Sequence, residues 1–159
     1  MNCENFFNLI KQYFDFLINE YGFEVVIEEI GTSFDWCILV LKSKICCVRF
    51  SRDKGDVIIE VGPISALNRI NGGKKDGWFF LNTIINFFNK TYKFERSLFG
   101  NIFTKKEKKM ELQIRYLSKQ FEKYKEQIFE LFNQGTFEKR KVELKEFSDE
   151  LGSRLFEKI

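Results

Sequence analysis

The chain is predicted to fold as α+β: a four-stranded antiparallel meander packed on helices, with a C-terminal antiparallel helical hairpin. Three observations predict this. Four runs rich in β-branched residues lie close together, FEVVIEEI (23–30), DWCILVLKS (35–43), KICCVRFSR (44–52) and DVIIEVG (56–62). They are separated by connections short enough only for hairpins, Gly31-Thr32-Ser33, Lys42-Ser43-Lys44 and Asp53-Lys54-Gly55. Apolar residues at helical spacing stand on both sides of them. With 159 residues, 44% hydrophobic and 31% charged, the chain suits one soluble domain over 1–159, made of a 1–103 core and a 104–159 helical hairpin.

The elements follow in order. Phe6, Phe7, Ile10, Phe14, Leu17, Ile18 and Tyr21 recur at helical spacing with polar Asn8, Lys11, Gln12, Asp15 and Asn19 between them, and Gly22 supplies the stop. In the third and fourth runs a two-residue Lys54-Gly55 turn sets Phe50 opposite Ile59, Val48 opposite Val61 and Arg49 opposite Glu60. A slip of one residue sets Phe50 against Glu60 or Ile58 and destroys the match. The expected helix-packed face is Val25, Ile27, Val48, Phe50, Ile59 and Val61. Glu24, Glu28, Arg49 and Glu60 share the other face with Val26 and Ile58. Pro63 closes the last strand, and Asn71-Gly72-Gly73-Lys74-Lys75-Asp76-Gly77 reads as a surface loop. WFFLNTIINFFNK (78–90) reads as a buried helix starting at Trp78. Met110, Ile114, Leu117, Phe121, Tyr124, Ile128 and Leu131 form a heptad seam, which packs either internally or between two chains. Asn133-Gln134-Gly135-Thr136 supplies a glycine stop and a threonine start before a second helix carrying Phe137, Leu144, Phe147, Leu151 and Leu155.

Composition excludes much familiar chemistry. There is no histidine, hence no Ser-His-Asp or Cys-His pair and no histidine base. Adjacent Cys46 and Cys47 in a strand point to opposite faces, so a four-cysteine zinc site is not expected. A sheet-borne nuclease core needs an acid two residues before a lysine, and Val40 stands there before Lys42, while Glu60 is followed by Gly62. Gly72-Gly73 lacks the spacing of a phosphate-binding loop. Neither metal nor cofactor is expected, and the chain is read as no enzyme. Cys47 beside Arg49 is the one thiol with an activating neighbour, but it has no base.

No apolar run is long enough for a membrane span, and the N-terminal residues, with Glu4, Lys11 and Asp15, do not read as a signal peptide. The expected compartment is the cytoplasm, with Cys3, Cys37, Cys46 and Cys47 as free thiols. Charge is uneven: net −4 over 1–64 and net +7 over 65–159. The acidic edge run, with Glu24, Glu28, Asp35 and the strand-leading Trp36, is the candidate protein-binding surface. Lys105, Lys106, Lys108 and Lys109, with Lys139, Arg140 and Lys141, are the candidates for nucleic acid.

YGFEVVIEE, VRFSRDKGDVIIEVG, GWFFLNTIINFF and LFNQGTFEKRKVELK together resemble a family of small uncharacterised bacterial proteins with a Tyr-Gly-Phe, an Arg-x-x-Arg-Asp-x-Gly hairpin and a Trp-headed helix. The plan is similar to that of immunity proteins and accessory proteins found beside bacterial toxins and phage-defence genes. That resemblance implies a non-catalytic module that docks onto a toxin, effector or complex subunit. Self-association through the C-terminal helices and nucleic-acid binding are the alternatives.

Overall fold

A computed structural model describes residues 2–31, 36–94 and 106–156. Helix α1 (Cys3–Tyr13) starts where the Asn2 side chain accepts from the Asn5 N–H at 3.0 Å. Glu4 in its first turn and Lys11 in its last complement the helix dipole. The expected single helix to Tyr21 breaks at Phe14, and α2 (Asp15–Asn19) follows. The break drives the Phe14 ring into the core, edge-on to Phe50 at 4.8 Å and to Phe121 at 6.0 Å. Gly22 then takes φ +68, a conformation that favours glycine.

The sheet runs β1 (Glu24–Ile30), β2 (Cys37–Lys42), β3 (Cys46–Asp53), β4 (Asp56–Pro63) and β5 (Phe79–Phe80), all antiparallel and in chain order. Lys54 at φ +50 and Gly55 at φ +89 make the tight turn, and the register is the expected one: Val48 with Val61, Arg49 with Glu60, Phe50 with Ile59. The fifth strand corrects the expectation of four. Trp78 and Phe79 are both buried but on opposite faces, Trp78 in the smaller cluster and Phe79 in the main core, and Phe80 is 52% exposed. Helix α3 (Leu81–Phe88) begins only after them. Trp78 lies over Gly62, where an added Cβ meets the Gly77 carbonyl at 2.8 Å and the Trp78 ring at 3.2 Å.

A second correction concerns β1. Val25 pairs with Leu41, but Ile27 pairs with Val40, so one residue is inserted at Val26. Beyond this bulge every side chain changes face. Glu24 and Glu28, expected on one face, therefore lie on opposite faces. Ile27 leaves the helix-packed face, and Val25 stays 39% exposed at the edge.

Both sheet faces are covered. One carries Leu39, Leu41, Cys46, Val48, Phe50, Ile59 and Val61 against α1, α3, α4 (Lys106–Phe132) and α5 (Gln134–Phe156). All seven heptad residues of α4 are buried in this core, so the seam packs within the chain. The stretch 64–77, which ends in the expected surface loop 71–77, carries two short 3₁₀ turns, Ile64–Arg69 and Lys74–Asp76. With Ala66 and Trp78 it covers Ile38, Val40 and Cys47 on the other face. The break before α5 lies at Asn133, the first residue of the expected link, and Gly135 and Thr136 fall in the first turn of the helix. α5 meets β5 through Phe79–Phe137 and α3 through Phe87–Phe147.

Cys3 and Cys37 are joined in a disulfide, contrary to the free thiols expected, while Cys46 and Cys47 remain free and buried. α1 brings Cys3 onto the end of β2, a tertiary contact between residues 34 apart in sequence. Closing a loop of that length stabilises the fold by about 2–4 kcal/mol. Unfolding by urea with and without a dithiol reductant measures this. The reduced protein is expected to lose about that much, and equal midpoints would show that the bond contributes nothing.

Candidate functional site

The hairpin holds the polar centre of the molecule. The Arg49 Nε donates to Glu60 Oε2 at 2.8 Å, and its Nη2 to the same oxygen at 2.5 Å. Its Nη1 donates to the carbonyls of Ile70 and, at 3.0 Å, of Gly72. The guanidinium lies 4.5 Å from the Trp78 ring centre, and the indole N–H donates to the Arg69 carbonyl at 3.0 Å. Arg49 and Glu60 are each only 7% exposed. Cross-strand pairing thus places a buried cation under an aromatic lid, with each hydrogen-bonding arm used on the fold itself. Burial raises the Glu60 carboxyl above its ordinary value, although the guanidinium pulls the other way.

This occupation decides the fate of the adjacent thiols. Cys46 faces the main core and burial raises its pKa strongly. Cys47 faces the smaller cluster and burial pushes it up to about 11, with Lys42 acting in the opposite direction. Arg49 is committed to Glu60 and lowers neither. The arrangement is that of two small apolar side chains in a sheet centre.

The acidic candidates divide. β1 is a terminal strand, and every residue of it except Ile27 is exposed. Glu28, turned by the bulge toward the helices, forms an ion pair with Lys11 of α1. Glu24 stands opposite Lys42 on the other face, and Glu29 opposite Ile38. Trp36 is half-buried rather than protruding. It packs against the smaller cluster with its ring over Gly31, whose N–H donates to the Trp36 carbonyl at 2.9 Å. Asp35 lies outside the described residues. The structure thus keeps Glu24 and Glu28 at one edge, adds Glu29, and gives Trp36 a bracing position. Three consecutive apolar residues, Val25-Val26-Ile27, interrupt the strand alternation, and that was the legible sign of the bulge.

The basic candidates do not gather. Lys105 is outside the described residues, as is the Lys106 side chain. Lys108 is exposed, and Lys109 lies 3.9 Å from Asp56. Lys139 is exposed, Arg140 pairs with Glu143 and covers the Phe87 ring, and Lys141 pairs with Glu138. α4, about 40 Å long, separates the two groups. Among the described residues, no His, Cys, Asp and Glu group is arranged to hold a metal ion, and no helix is long and apolar enough to cross a membrane. Compared with protein-family models, with curated proteins and with solved structures, the chain matches none.

Removing one partner of the buried pair is expected to cost about 3–5 kcal/mol in Arg49→Met, because Glu60 and two carbonyls lose their donor. Denaturant unfolding reads this, and a loss below about 1 kcal/mol would show the pair to be dispensable. The raised Glu60 pKa has a signed consequence. Its contribution is full below the ordinary glutamate value of 4.5 and is lost as pH rises through the higher folded-state value. Glu60→Gln is therefore expected to flatten the pH dependence of stability above about pH 4.5, and an unchanged slope would contradict the direction. Cys46 and Cys47 are expected to react with a thiol reagent at pH 8 only after unfolding, and Cys3 and Cys37 only after reduction. Counting modified cysteines by mass spectrometry checks both, and rapid labelling of Cys47 in the native protein would restore the reactive-thiol reading.

Proposed function

We propose that this chain is a non-catalytic protein-binding module of the immunity or defence-accessory kind, which docks a toxin, effector or complex subunit on the acidic β1 edge. The observation that carries the reading is the edge itself. A seven-residue strand lies at the margin of the sheet, exposed along nearly its whole length, with Glu24 and Glu29 directed to solvent. Such charges favour encounter with a basic surface, the usual character of proteins that act on nucleic acid. The absence of histidine and the burial of both free thiols support a role without catalysis. The similarity of size and plan to immunity and defence-accessory proteins supports the class of partner.

The test is a paired affinity capture from the native host, using the wild-type protein and a Glu24→Lys/Glu29→Lys variant as baits. Expected is a protein retained by the first at moderate salt and lost, by about tenfold or more, on the second. Equal recovery on both baits would remove the β1 edge from the reading. Recovery of nucleic acid alone, with a steep salt dependence in gel-shift titration, would transfer the function to the basic helices.

A further inference from the structure

We infer that the partner engages β1 by strand addition, contributing an extended cationic segment as a sixth strand of the sheet. The inference rests on the docking reading above and names its mode and its chemistry.

The two margins of the sheet are unequal. β5 is two residues long, which blunts that edge. β1 is seven residues long, a full strand, and among the described residues no strand pairs with its outer side. A terminal strand presents a row of backbone donors and acceptors that only another strand satisfies together. Apolar side chains accompany that row: Val25 is 39% exposed, Val26 42% and Ile30 69%. Pairing a strand here covers them along with the backbone.

Charge selects the occupant. Glu24, Glu28 and Glu29 give a second copy of β1 three carboxylates against three, which opposes self-pairing. The bulge distributes acid over both faces, Glu24 and Glu29 on one and Glu28 on the other. Lys11 already pairs with Glu28, so the acid open to a partner lies on the face of Glu24, which has Lys42 opposite it in the ladder, and Glu29. A strand alternating Lys or Arg with β-branched residues, its basic side chains on that same face, meets the carboxylates and presents its apolar side chains beside Val25 and Ile30. The edge is also held ready. Lys11 of α1 grips Glu28, and the Cys3–Cys37 disulfide ties α1 to β2 beside Ile30, the Cys37 partner in the ladder. A prepared edge spares the ordering cost that a loop would carry.

Three peptides test this against the full chain: an alternating Lys-Val octamer, the same octamer with every backbone amide N-methylated, and a Glu-Val octamer. Affinity is read by calorimetry and the contact by amide hydrogen exchange. Expected is binding of the Lys-Val peptide, at least tenfold weaker binding of its N-methylated form, none of the Glu-Val peptide, and slowed exchange confined to β1. Glu24→Lys/Glu29→Lys, at exposed positions that leave the core intact, is expected to exchange the preference between the Lys-Val and Glu-Val peptides. Equal affinity for the N-methylated form, lost on charge reversal, would overturn strand addition while leaving an acidic docking surface in place. No binding of the Lys-Val peptide at millimolar concentration would overturn the inference, and the docking reading would then stand or fall on the paired capture. A peptide-free dimer that Val26→Pro dissolves would assign the edge to a second copy and overturn it equally.

Discussion

A two-residue turn sets the register on which the other elements depend. Lys54 and Gly55 both adopt positive φ, the geometry whose twist matches two antiparallel strands. Lysine in that conformation is mildly unfavourable, and the neighbouring glycine is not. The register it imposes sends Val48, Phe50, Ile59 and Val61 to one side and Arg49 and Glu60 to the other. Shift it by one residue and a buried charge replaces a phenylalanine ring at the centre of the core. The edge-on packing of Phe14 against Phe50, with Phe121 on the Phe14 ring, exists because of this choice.

The second face shows how a sheet covered on both sides accommodates charge. Its apolar cluster is small, and its centre is an ion pair. Burying such a pair is costly unless each donor is answered, and here the segment 64–77 answers them with the carbonyls of Ile70 and Gly72. One guanidinium thus ties β3 to β4 and both to a stretch with little regular structure of its own. Trp78 closes the arrangement from above, in room left by the missing side chain of Gly62. The same crowding pushes the Cys47 thiol up, since burial opposes its thiolate more than Lys42 favours it.

At the edge, two devices act on one strand. The bulge at Val26 spreads the acidic residues over both faces, and α1 braces the strand through Lys11 and, one strand further in, through Cys3. Bulges and charges protect edges from indiscriminate pairing. On β1 they restrict pairing without shortening the strand, as β5 is shortened at the far margin. Specificity and availability are therefore compatible there.

Local pattern alone determined much of this protein. The meander, the Lys54-Gly55 turn, the pairing of Arg49 with Glu60 and the heptad of α4 are consequences of period and turn chemistry, which act over a few residues and are written in sequence. The failures are equally physical. The Phe14 break and the fifth strand at Phe79–Phe80 follow from where aromatic rings find room, and room is decided by distant neighbours. The Cys3–Cys37 bond needed α1 to lie against β2 before it had meaning. At the candidate site, exposure and acidity were legible, whereas the faces of Glu24 and Glu28 were not. A single inserted residue reverses every side chain after it, and the partner strand decides where that insertion falls. Trp36 likewise had the composition of an anchor, but Gly31 offers it a surface to lie on, and only the folded chain brings the two together.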